Sequence, residues 1–223
     1  GCTSLTAIPL PEGVTSIGNS AFRDCSSLTS ITLPDDVTSI RESAFEDCSS
    51  LTSITIPESV TGIESDVFSG CSNLTSITIP ENVTSIVDRA FYGCSSLTSI
   101  TIPDNVEIIG NFAFYECNSL RNVTLPDKLT TIGERAFHRC TQLSTITIPA
   151  SVIRIGDECF MGCDSLRQII VGDENPKYTS LGGVLYSKDL RTLIQYPLGR
   201  PTDFYAIYDR TSCIGNSAFR YST

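Results

Sequence analysis

The chain has 223 residues, 40% of them hydrophobic and 18% charged, with no Trp, one Met and ten Cys. That composition supports a packed core and argues against disorder. The net charge is −10, which argues against nucleic acid as a partner because an acidic surface repels a phosphate backbone; no apolar run approaches the ~18 residues of a membrane span.

The charge is unevenly spread. Residues 1–120 hold three basic residues (Arg23, Arg41, Arg89) against fifteen acidic ones, and residues 121–223 hold twelve against ten. In chain order the sequence opens at Gly1-Cys2-Thr3-Ser4-Leu5, midway through a unit that then recurs, so it reads as a piece of a longer protein. A lipoprotein reading of Gly1-Cys2 is set aside because Cys2 belongs to a regular series. Cys2, Cys25, Cys48, Cys71, Cys94, Cys117, Cys140 and Cys163 are each 23 residues apart. A fixed period in this range means a solenoid, in which each unit buries its apolar side only against its neighbours.

The residues of each unit fall into columns. Leu28, Leu51, Leu74, Leu97, Leu120 and Leu143 open it. Ile31 and Leu33, with their equivalents, follow with one polar residue between them, which is strand period. Stacked units then give a parallel sheet. Pro34 and its equivalents end the strand, having no N–H to donate, and acidic or Asn residues follow as turn chemistry. A second apolar pair (Val37, Ile40) precedes Ala44-Phe45. The spacing Ile40, Ala44, Phe45, Cys48 predicts a helical or 3₁₀ turn on the back of each coil.

The pattern Leu-x-x-Ile-x-Leu-Pro-x-x-Val-x-x-Ile-x-x-x-Ala-Phe-x-x-Cys, unbroken over 1–171, resembles the leucine-rich repeat of the BspA-like (Treponema pallidum type) family. The resemblance implies a leucine-rich-repeat solenoid, an α/β horseshoe-like right-handed superhelix. It also implies a non-enzymatic role in adhesion or protein binding at the cell surface or in secreted form. On this reading residues 1–223 are one domain with three parts: regular repeats to 171, an irregular insert over 172–204, and a degenerate final repeat over 205–223. The insert reads as a hairpin around Ser187-Lys188-Asp189. In the final repeat Tyr208 replaces Pro, Thr211 replaces Val, and Cys213 replaces a polar residue.

The cysteines read as buried small thiols. In-register neighbours aim their Cβ vectors the same way, which is poor geometry for bridging, and no Cys-x-x-Cys pair suggests zinc. Two sets of residues are candidates for contact with a ligand. One is the outward strand column Ser30, Thr32, Ser53, Thr55, Ser76, Thr78, Ser99, Thr101, Asn122, Thr124, Thr145 and Thr147, a hydroxyl floor on the expected concave face. Strand propensity alone also explains it, and ice binding is the weakest reading. The other is the column after Phe, where Tyr92, Tyr115, His138 and Met161 occupy successive coils with Phe112 three residues before Tyr115. Large side chains at these positions are expected to face solvent as a contact patch, with packing among themselves the alternative.

The residue after Pro is acidic in six consecutive coils: Glu12, Asp35, Glu58, Glu81, Asp104 and Asp127. Such a ridge offers at most weak Ca²⁺ ligation. No nucleophile motif or phosphate loop is present, so no catalytic residue, cofactor or resident metal is assigned. Asn73, Asn82 and Asn122 are glycosylation acceptors only in a eukaryotic secretory setting. The expected partner is a protein or glycan, with host molecules among the candidates. The alternative is a passive spacer presenting another domain.

Overall fold

The computed structural model describes residues 1–202 and 204–220, so Asp203 and the last three residues of the expected final repeat lie outside the described residues. Each 23-residue unit forms one coil of a parallel β-solenoid of about nine turns. Strands Ala7–Pro9, Ser30–Thr32, Ser53–Thr55, Ser76–Thr78, Ser99–Thr101, Asn122–Thr124, Thr145–Ile148 and Gln168–Val171 follow one another along one face. They pair like with like, Ile8 on Ile31, Ile54 on Ile77, Val123 on Ile100 and Ile146 on Ile169. A second ladder was not expected from the sequence. Ser16–Ile17 pairs with Ser39–Ile40, and Ser85–Ile86, Ile108–Ile109, Thr131–Ile132 and Arg154–Ile155 pair in succession.

The predicted helical or 3₁₀ back is not formed, and no helix occurs among the described residues. Residues 41–47 are instead linked turns. The N–H groups of Ala44, Glu46 and Cys48 donate three residues back, to Arg41, Ser43 and Phe45, at 3.1 Å each. The alternating N–H groups of Ser43, Phe45 and Asp47 donate to Ser65, Val67 and Ser69 of the next coil at 2.9, 2.9 and 2.7 Å. A helix would satisfy all of these within its own turn; here the neighbouring coil offers carbonyls at the right spacing and takes every second one. Ser43 and Asp47, both at φ 57°, reverse the chain between the turns.

The interior is a continuous seam. Phe22, Phe45, Phe68, Phe91, Phe114, Phe137 and Phe160 stack in sequence with ring centroids 5.2–5.9 Å apart and planes within 15°. Each fully buried Phe contributes about 1.5–3 kcal/mol by transfer from water, and each ring pair about 0.5–1.5 kcal/mol more.

Residues 173–195 leave the repeat. Asn175 is fully buried. Its Nδ2 donates to the carbonyls of Pro149 and Val152 at 3.0 and 2.8 Å, and its Oδ1 accepts from the N–H groups of Lys177 and Tyr178. Tyr178–Leu181, Val184–Ser187 and Thr192–Gln195 form a three-stranded antiparallel meander. The expected hairpin around Ser187-Lys188-Asp189 is its second turn. The first turn, at Gly182-Gly183, was not anticipated; both residues have positive φ (55° and 85°), as a type I′ turn needs.

The third strand then rejoins the solenoid. Thr192 and Leu193 pair in parallel with Cys213 and Ile214. Tyr196 takes the Phe column, its N–H on Ala218 O at 2.9 Å as Phe137 N–H is on Cys159 O at 3.0 Å. The final coil keeps the repeat's turn, with Thr211 N–H on Tyr208 O where Val37 N–H is on Pro34 O.

Candidate functional site: an arginine–aromatic recess

The hydroxyl floor lies on the outer side of the first ladder. All twelve of its residues are exposed except the half-buried Thr145. The acidic ridge residues are all exposed too, and among the described residues no group of three or more ligating side chains is placed to hold a metal ion. After three of the ridge acids the next residue ties the preceding coil instead: Ser59 Oγ donates to Asp35 O, Asn82 Nδ2 to Glu58 O and Asn105 Nδ2 to Glu81 O.

The Phe112 region is more individual. Two columns three residues apart run across four coils, and they pair Arg89 with Tyr92, Phe112 with Tyr115, Arg135 with His138 and Glu158 with Met161. All eight line one recess of about 520 Å³, together with Ser69, Arg139 and Arg220. In the first column every residue has a left-handed backbone: Arg89 at φ 55°, Phe112 at 57°, Arg135 at 51° and Glu158 at 55°. For a bulky residue such as Phe112 this conformation is uncommon. The turn ladder imposes it, because reversal at this column lets alternate N–H groups reach the next coil.

The side chains interlock. The guanidiniums of Arg89 and Arg135 lie 5.7 and 5.6 Å from the Phe112 ring centroid, within cation–π range. Tyr92 stacks on Tyr115 at 4.9 Å and 1°, and Tyr115 on His138 at 4.7 Å and 16°. Arg135 Nε donates to Glu158 Oε2 at 2.7 Å, Ser217 Oγ donates to Glu158 Oε1 at 2.8 Å, and Arg220 lies 3.8 Å from the same carboxylate. Those hydrogen bonds hold the Glu158 carboxyl below the usual carboxylate range.

Two expected positions are corrected. His138 and Met161 do not face solvent; they are only 5% and 4% exposed. His138 is sandwiched into the ring column, and the final coil, carrying Ser217 and Arg220, docks over the Glu158 edge. Tyr92, Phe112 and Tyr115 are half-buried, with their outer edges accessible. Burial first, then Arg139 and Arg135, lowers the His138 pKa. Its Nδ1 is buried and has no hydrogen-bond partner. The arginines and Glu158 escaped the sequence reading. The signal for them was Arg89 and Arg135 standing one period either side of Phe112.

The cysteines are all free, eight of them buried. From Cys48 to Cys163 each ladder Sγ lies 3.0–3.2 Å from the carbonyl oxygen of a Phe in the preceding coil, as Cys71 does from Phe45 and Cys140 from Phe114. Burial raises these thiol pKa values, that of Cys48 to about 12 and that of Cys163 likewise. Burial likewise raises the Cys140 thiol, which disfavours the thiolate that a nucleophile needs. No helix of the described residues is long and apolar enough to cross a membrane.

Comparison with known proteins agrees with this geometry. The family model for the BspA type leucine-rich repeat region matches residues 1–96 and 84–193. A leucine-rich cell surface protein from Faecalibacterium prausnitzii superposes with TM-score 0.85 at 33% identity over 96% of this chain and 66% of its own. A leucine-rich repeat protein from Bacteroides ovatus gives 0.79 at 35%, over 96% and 54%. The Treponema pallidum leucine-rich repeat protein gives 0.66 at 28%, over 72% and 78%. The chain thus spans about two thirds of the first of these proteins and about half of the second. No curated protein matches it. The chain belongs to the BspA-type leucine-rich-repeat family.

Proposed function

We propose that the chain is a non-enzymatic binding module of a cell-surface or secreted protein, an adhesion element that holds a protein or glycan through the recess around Phe112. One observation carries this reading. Across four successive coils the column of Tyr92, Tyr115, His138 and Met161 is uniformly large, its companion column carries Arg89, Phe112 and Arg135 before Glu158, and these side chains meet in one recess. Earlier coils carry Ser20 and Arg23, Ser43 and Glu46, and Asp66 and Ser69 at the same places. A solenoid needs none of these large side chains to close its core, which the Phe and Leu columns already fill. The name of the Faecalibacterium neighbour, a cell surface protein, supports the location.

The test is the double substitution Tyr92→Ser and Tyr115→Ser, scored against immobilised extracellular-matrix proteins and mucosal glycans. The expected result is an intact solenoid whose melting temperature falls only by the lost ring contacts, with lost retention on the ligand that wild type holds. Equal retention moves the binding surface to the hydroxyl floor. No retention of any ligand by wild type favours a spacer, for which the interchangeable early coils are suited.

A further inference from the structure

The recess gathers four guanidiniums, Arg89, Arg135, Arg139 and Arg220, against one lining carboxylate, Glu158; outside the lining, Glu134 lies 3.6 Å from Arg135. Glu158 is engaged by Arg135, Ser217 and Arg220, and at the rim Glu116 pairs with Arg139 at 2.8 Å. Arginine presents a planar fork suited to carboxylate, sulfate or phosphate oxygens. The tyrosines add hydroxyl donors. Both ring faces of Tyr115 are taken, by Tyr92 and His138, so Tyr115 presents its edge and hydroxyl, while Tyr92 is stacked on one face.

The same geometry says what kind of chain fits. Peptides are commonly held by main-chain hydrogen bonds to a free strand edge. Here the neighbouring backbone N–H groups are already taken: Phe112 donates to Glu134, Phe114 to Ala136, Arg135 to Asp157 and Arg139 to Met161, all at 2.8–3.0 Å. Only side chains are on offer, and they are oxyanion and hydroxyl partners. His138 adds a nearly buried Nδ1 without a partner, beside the pliable Met161 of the next coil.

We propose that the recess binds an acidic oligosaccharide, Arg89 taking an anionic group and the hydroxyls of Tyr92 and Tyr115 its sugar hydroxyls. A recess of about 520 Å³ holds one or two sugar rings. This rests on the binding role proposed above and names its ligand class.

The experiment is calorimetric titration with four probes: a heparin hexasaccharide (sulfate and uronate), an oligogalacturonate (carboxylate alone), a neutral dextran fragment and a poly-glutamate peptide. Wild type is expected to bind at least one acidic oligosaccharide, more weakly as salt rises, and not dextran. The sulfated and uronate arms distinguish which oxyanion is read. Arg89→Gln with Tyr115→Phe is expected to weaken binding at least tenfold; Arg89→Lys, which keeps the charge but loses the fork, should lose less and serves if the double variant misfolds. Three results overturn the proposal: no binding of either acidic oligosaccharide, unchanged binding by the variants, or poly-glutamate binding equally well with the same sensitivity. If Tyr92→Ser with Tyr115→Ser still abolishes retention of a protein ligand, the binding role stands while the glycan assignment falls.

Discussion

The Sγ of Cys71 lies 3.2 Å from the carbonyl oxygen of Phe45, 26 residues earlier in the chain. That oxygen also accepts the N–H of Cys48 at 3.1 Å, so both of its lone pairs are used. Cysteine suits the place because it is small, largely apolar and still a weak donor. Replacing Cys71 by Ala removes a buried sulfur together with its donor. The expected cost is about 1–2 kcal/mol, seen as a lower urea midpoint; an unchanged midpoint would show that the sulfur contributes neither packing nor a hydrogen bond.

The thiols themselves give a second measurement. Cys2 and Cys213 are exposed and the other eight are buried. Ellman's reagent, without reductant, should therefore titrate the two exposed thiols in the folded protein and all ten in denaturant. Fewer free groups in denaturant would mean disulfides between coils.

Phe68 sits mid-stack, 5.7 Å from Phe45 and 5.5 Å from Phe91. Phe68→Ala opens a cavity that neighbouring coils cannot close without shifting their own ladders. The expected loss is about 3–5 kcal/mol. Thermal melting read alongside amide exchange should show the loosening centred on adjacent coils, since a solenoid transmits stability through nearest neighbours.

Glycines in one column differ in what they permit. A Cβ on Gly133 would run into the Gly110 carbonyl carbon, whereas one on Gly18 meets nothing within 4 Å. Gly133→Ala is expected to destabilise by about 1–3 kcal/mol, as overpacking does. Gly18→Ala should stay within about 0.5 kcal/mol of wild type. Equal urea midpoints for the two variants would contradict the close approach of these coils.

His138 gives the protein a mildly acidic weakness. Its pKa is lowered in the fold, burial being the first cause. The unfolded state then binds the proton more readily. Its contribution is therefore full above the unfolded value of about 6.5, and declines as pH falls through that value toward the lower folded one. Wild type should lose more melting temperature between about pH 7.5 and 5 than His138→Gln, a difference differential scanning fluorimetry can read. Parallel pH profiles would show that His138 is not protonation-sensitive.

The inward columns were legible because each repeats with neither insertion nor deletion, and a solenoid must lay like over like to share one core. Phe45, Phe68 and Phe91 could be named as a stack from their spacing alone. The back of the coil was misread for a physical reason. Ile40, Ala44 and Cys48 have helical spacing, and a run of buried turns carries the same spacing. A partial signal was present in the column Asp24, Asp47, Gly70, Gly93, Glu116, Arg139 and Gly162: five of its seven residues are types that tolerate positive φ, and all seven adopt it. Its companion column, with Ser43, Arg89 and Phe112, carries no such mark, because the ladder forces the reversal whatever the side chain.

By itself the sequence determined the period, the inward-facing columns and the place where regularity stops, since burial against an identical neighbour constrains residue type directly. The tertiary structure alone decided how the outward residues meet. Arg135 grips Glu158 from one coil to the next, Arg220 arrives from the final coil 62 residues beyond it, and His138 goes under cover. Those contacts depend on which coil lies over which after the insert, a matter of stacking geometry that no 23-residue pattern records.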